Sequence, residues 1–119
     1  MIEVANSELV DKLTILEIKR EHGLAVDTEL EILNQAAQTI FDRHSYIQHP
    51  RAILKTINAE LWKIEDFKRA CERDQQFNDE FVAHARLVYL LNDERARIKK
   101  LIDTLTESKI TEHKSHERN

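Results

Sequence analysis

Glu60, Asn92 and Arg95 are the side chains whose placement in this sequence most needs a chemical explanation. A helix turns about 100° per residue, so the face a residue occupies follows from its number. With Ile53 as zero, Ile57, Ile64, Phe67 and Cys71 fall within about 40°, and Glu60 falls at about -20°, inside the same apolar stripe. With Phe81 as zero, Ala85 and Val88 lie near about 40° and -20°, and Asn92 and Arg95 near about 20° and -40°. A carboxylate, an amide and a guanidinium therefore stand where leucines would pack. Two chemistries suit such a set. An unpaired buried carboxylate is costly, so a closed network of charge-assisted hydrogen bonds would lock the register of two helices. An open layer would be a ligand cleft, with Arg95 holding an anion and Glu60 binding a metal or acting as a base.

A second candidate set is Glu17, Glu60, Glu65, Asp66 and Asp93. Small all-α nucleotide pyrophosphohydrolases hold Mg²⁺ with helix-borne carboxylates, pairing a Glu-Glu-x-x-Glu run with a Glu-x-x-Asp run. Here Glu65-Asp66 lacks its third partner, and Asn92-Asp93-Glu94 lacks the spacing. A single glycine excludes glycine-rich phosphate loops, and HExxH, GxSxG and CxxC are all absent. The lone Cys71 excludes an intrachain disulfide and fits a reducing compartment. No metal site is expected, and Mg²⁺ is a cofactor only under the pyrophosphohydrolase-like reading.

Four helices must position these residues. Leu9, Leu13 and Leu16 define one side of a first helix over about 8–22, which Ser7 could cap. Ile15 and Ile18 point away from that stripe, so this helix is central in its domain or shared with a partner. Thr28 and Glu31 form a capping-box pattern opening a second helix over about 28–43. Pro50 suits the first turn of a third helix, about 50–74, and a fourth follows over about 78–106. The last two form an antiparallel hairpin. If its turn centres near Gln76, Cys71 meets Phe81, Phe67 meets Ala85, Ile64 meets Val88, and Glu60 meets Asn92 with Arg95 one turn on. Trp62, on the back of the third helix, is expected to pack under the first helix, the second helix or another chain, and is a candidate interface residue together with Ile15, Ile18 and Tyr89. Residues 1–106 then make one helical domain, and 107–119 a polar tail.

Composition agrees with an all-α, four-helix, bundle-like domain. Charged residues make up 34% of the chain and apolar ones 41%, with one Gly and one Pro. The net charge is -4. Residues 1–34 hold eight acids against three bases, which disfavours binding to nucleic acid. Nothing approaches the roughly 20 apolar residues of a membrane span or the start of a signal peptide, so a cytoplasmic protein is expected.

Four segments carry a resemblance: ELVDKLTILEIK (8–19), INAELWKIED (57–66), ARLVYLLNDERARIKK (85–100) and SKITEHKS (108–115). In this order they resemble an uncharacterised bacterial all-helical domain family with a DKLTILEIK / LWxIED / VYxxND pattern, a domain of unknown function. Ser7 departs from the family's usual glycine. The matching polar positions are Asp11, Lys12, Glu17, Glu65, Asp66, Asn92, Asp93 and Arg95, with Trp62 and Tyr89. The resemblance implies no established activity, though it points to an accessory role beside cell-surface polysaccharide metabolism. The reading that results is a small helical interaction module that self-associates, as a homodimer through the first helix or the Trp62 face, with room for another protein partner. It leans away from an enzyme. The alternative is a small Mg²⁺-dependent enzyme or ligand-binding domain acting on a phosphorylated compound.

Overall fold

The computed structural model describes residues 4–107. The arm expected over residues 2–4, apart from Val4, and the tail expected over 107–119, apart from Glu107, lie outside them. The described residues form an all-α bundle of four helices: α1 (Asn6–Glu21), α2 (Asp27–Arg43), α3 (Gln48–Asp74) and α4 (Asp79–Leu105). A single 3₁₀ turn, Ser45–Ile47, leads into α3.

Helix α1 packs against α2, α3 and α4. Its two apolar sides are therefore explained by centrality: Ile18 is buried within the chain and Ile15 half-buried, so neither forms the free surface expected of an interface. One core cluster joins Val10 to Ile40, Ile47, Leu54 and Ile102, and a second joins Leu13 and Leu16 to Leu30 and Ala37. Burying a side chain such as Leu13 contributes about 2 kcal/mol. The chain's one glycine ends α1. Gly23 has φ 83°, and its N–H and that of Leu24 return to the carbonyls of Arg20 and Lys19 at 2.9 and 3.0 Å, a Schellman closure.

The local caps differ from those read in the sequence. Ala5, not Ser7, precedes α1, and Ser7 lies in the first turn. Val26 precedes α2, and no side chain caps that helix, so the Thr28–Glu31 box does not form. Asn78 does cap α4, accepting the Phe81 N–H at 3.2 Å, with Asp79 and Glu80 in the favourable first turn. Pro50 sits in the first turn of α3, where no intrahelical donor is lost.

Helices α3 and α4 form the antiparallel hairpin, and α3 leaves through Gln75 in the left-handed region (φ 53°). Phe67 stacks on His84 at 4.1 Å between ring centroids, one residue from the Ala85 expected opposite it. The register was thus readable to within a residue. The expected inner stripe of α3 is buried at Ile57, Ile64 and Cys71, but the buried arc extends past it to Leu54 and Asn58 and leaves Glu60 outside.

Candidate functional site

Asp11 is the centre of the polar interior. Helix α1 carries Ser7, Asp11 and Thr14 at i, i+4 and i+7, one face of a helix, and all three are buried. Helix α4 presents Arg95, Lys99 and Asp103 at the same kind of spacing, and α3 adds Asn58. Pairing α1 against α4 antiparallel brings the two stripes together as a seam.

At its middle, the Arg95 guanidinium grips Asp11, with Nε donating to Oδ1 at 3.1 Å and a terminal nitrogen donating to Oδ2. Asn58 Nδ2 donates to the same Oδ1 and to Thr14 Oγ1, both at 2.9 Å. The Thr14 hydroxyl donates to the Asp11 carbonyl at 2.8 Å. Buried Lys99 pairs with Glu8, and its ammonium stands 3.9 Å from Asp11 Oδ2. At the end of the seam, buried Asp103 accepts the Ser7 N–H and the Ser7 hydroxyl, each at 2.9 Å. Asn6 donates to Thr106 Oγ1 at 3.0 Å. Asp103 therefore supplies from α4 the cap that α1 lacks locally. A carboxylate at a helix N-terminus meets both free donors and the positive end of the helix dipole.

Glu60 is not part of this layer. It is exposed on α3 and pairs with Lys63 at 3.2 Å. The correction is rotational: α3 packs on α1 as well as α4, so its buried arc swings to include Asn58, about 160° round from Glu60. Arg95 does meet a carboxylate, but α1 supplies it. Asn92 is half-buried and takes no part in the hydrogen bonds of Asp11.

The remaining candidates are dispersed. Glu17 is half-buried between Arg51 at 2.7 Å and Lys55 at 3.7 Å, and Lys55 also reaches Glu21 at 2.6 Å. That lysine holds the Glu21 carboxyl below its ordinary range. Glu65 and Asp66 pair with Lys68 and Arg69 along α3, Lys12 is exposed, and Asp93 is half-buried. Trp62 is half-buried with its ring 4.7 Å from that of His22, the residue that follows α1, so of the partners expected for it the first helix is the one it meets. Its indole N–H is buried without an acceptor. Tyr89 is exposed. Among the described residues, no group of three His, Cys, Asp or Glu side chains could hold a metal ion. An open groove between α1 and α2, lined by Arg20, Asp27, Glu31 and Gln35 among others, includes none of the seam residues.

Sequence reasoning missed Asn58, Thr14, Lys99, Glu8 and Asp103. A signal was present: Lys99 and Asp103 continue the stripe of Asn92 and Arg95, and Ser7, Asp11 and Thr14 form a matching stripe on the first helix. Chemically, the seam is a lock. Both oxygens of Asp11 are occupied and the residue is only 2% exposed. Solvent reaches the layer at the edge formed by Arg95, whose side chain is 26% exposed, and by Glu8.

Fold and seam together define a small all-α bundle domain whose central helix is keyed to its last helix by buried ion pairs. The chain belongs to a family of unknown function (DUF6165), whose model matches residues 1–119. No curated protein and no solved structure matches the chain.

Proposed function

We propose that this protein is a helical interaction module that self-associates as a dimer. One observation carries the reading: α4 turns Leu87, Leu90 and Leu101 outward at 44%, 48% and 42% exposure while its polar stripe is closed inside. Surface leucines scattered singly need no explanation, but three along one face of a helix mark an unpartnered surface. Exposed Tyr89 is on the same helix but about 120° round from the centre of that face, outside it. Our reading puts the contact surface on α4 rather than on the first helix or the Trp62 face, because Ile18 is buried within the chain and Ile15 and Trp62 are already half-buried by it. An accessory role in the cytoplasm, next to cell-surface polysaccharide metabolism, belongs to the same reading and rests on the resemblance of the four sequence segments. Among the described residues, no helix is long and apolar enough to cross a membrane.

Light scattering coupled to size exclusion tests the proposal, with a dimer mass expected at high micromolar concentration. A monomer mass there overturns it. The alternative, a Mg²⁺-dependent domain for phosphorylated compounds, draws no support from the carboxylates, which pair with separate cations at separate places. A thermal-shift screen of nucleotides and sugar phosphates with and without Mg²⁺ separates the two, because a ligand of the native state must raise the melting temperature.

A further inference from the structure

The outer face of α4 has a spacing that selects its own partner. Ala83, Leu87, Leu90, Glu94, Arg97 and Leu101 recur at alternating intervals of four and three, the seam of a two-stranded helical contact. The stripe from Leu87 to Leu101 is about 21 Å long, four turns of helix. Two charged residues interrupt it at the middle. Glu94 and Arg97 pair with each other along the helix and remain 45% and 62% exposed.

We propose that a second copy of the chain covers this face, with the two α4 helices antiparallel about a two-fold axis between Glu94 and Arg97. The proposal rests on the self-association reading and gives it a geometry. An antiparallel pair about that axis joins residues whose numbers sum to 191. Glu94 then meets Arg97 of the second copy, and Arg97 meets Glu94. In the same register Leu90 meets Leu101, Leu101 meets Leu90, and Leu87 meets the exposed Thr104. Charge complementarity and leucine pairing thus call for one and the same register. A symmetric interface must be self-complementary, and this stripe is.

A parallel pairing in register sets Glu94 against Glu94 and Arg97 against Arg97, so repulsion disfavours it. The central ion pairs are partly solvated and add little affinity themselves; the leucines supply attraction and the charges choose direction and register. A different protein on this face would have no reason to match the spacing of Glu94 and Arg97 about a two-fold axis.

Charge-reversal variants test the geometry by sedimentation equilibrium, with circular dichroism confirming that each variant is folded. Glu94→Arg places four cations at the axis, and Arg97→Glu places four anions. Each is expected to weaken the dimer at least tenfold. The doubly reversed E94R/R97E restores the original complementarity and is expected to return to within threefold of the natural chain. Mixing the two single variants brings a cationic centre to an anionic one, so a heterodimer is expected to form at concentrations where neither variant associates alone. If the natural chain is dimeric and single reversals leave its association unchanged, the α4 pairing is wrong while self-association stands. If the natural chain is a monomer at high micromolar concentration, both fail, and another protein or another part of this chain occupies the face.

Discussion

Replacing Arg95 by methionine removes the two donors that hold the Asp11 carboxylate and leaves most of the side-chain volume in place. Asp11 remains buried, with Asn58 at 2.9 Å on one oxygen and the Lys99 ammonium 3.9 Å from the other. Orphaning one member of a buried ion pair costs about 3–5 kcal/mol. The lower end applies here, because Lys99 still neutralises part of the charge and water can enter where Arg95 stood. A loss of about 3 kcal/mol corresponds to a fall in melting temperature of roughly 12 °C for a chain of this length. Asp11→Asn should cost less, about 1–2 kcal/mol, because the amide keeps an acceptor and the guanidinium can turn towards solvent at its exposed edge. In the double variant no charge is stranded, so its loss should fall short of the summed single losses by about 2 kcal/mol. Denaturant unfolding followed by the fluorescence of Trp62, the chain's single tryptophan, measures all four corners of the cycle. Single losses below about 1 kcal/mol, or additivity within about 0.5 kcal/mol, would refute the assignment of Asp11 and Arg95 as the seam's central pair.

Three further outcomes follow from named contacts. Asp103→Ala strips the Ser7 N–H and hydroxyl of their acceptor and should destabilise the fold by about 2 kcal/mol, with faster amide exchange confined first to the opening turn of α1; unchanged exchange at Ser7 would contradict the cap. Asn58→Ala should cost about 1–3 kcal/mol, whereas Glu60→Ala should stay within about 0.5 kcal/mol, and calorimetry showing the reverse order would restore the original placement of Glu60. Lys55→Gln should raise the titration midpoint of Glu21 seen by carboxyl NMR. Because the folded-state value lies below the unfolded one, the contribution of Glu21 is present at neutral pH and lost as pH falls through that folded value; an unmoved midpoint would remove Lys55 as the cause.

The fold was legible because its determinants are local. Helix count, the α3–α4 connection and the hairpin register all follow from periodicity and from a short turn, and Phe67 lands within one residue of its expected partner. The caps were not, because Ser7 and Thr28 have the right chemistry for a local cap and yet neither makes one. Ser7 instead turns to Asp103, 96 residues away. Nothing near Ser7 in sequence reports that an acceptor from α4 is available. The polar layer failed in the same way. Treating α3 and α4 as a two-helix problem required the carboxylate opposite Arg95 to come from α3, and Glu60 was the one at hand. A third helix packed against both changes the answer. Asp11 was identified only as a position of the resembled pattern, and its role needed the packing of α1 against both hairpin arms.

The outer face of α4 is less conspicuous in the sequence than the inner one. Both faces repeat with the spacing of a helical seam, Asn92, Arg95, Lys99 and Asp103 inside and Leu87, Leu90, Glu94, Arg97 and Leu101 outside. Polar residues among apolar ones announce a buried network, because their burial is costly without partners. A Glu and an Arg three apart among leucines read as an ordinary surface pair, because exposed pairs of that kind are common and nearly neutral in energy. Exposure breaks the tie. With Lys99 and Asp103 buried, the opposite stripe must face outward, and its leucines are left for a partner to cover. The two stripes then divide the work of one helix: the inner one fixes α4 on α1 in a single register, and the outer one, held rigid by that lock, can present Glu94 and Arg97 at a fixed spacing to a second copy. On that argument, loosening the seam with Arg95→Met should weaken dimerisation even though Arg95 lies on the far side of the helix. A dimer that keeps its natural affinity in a folded Arg95→Met variant would show that the two faces of α4 act independently.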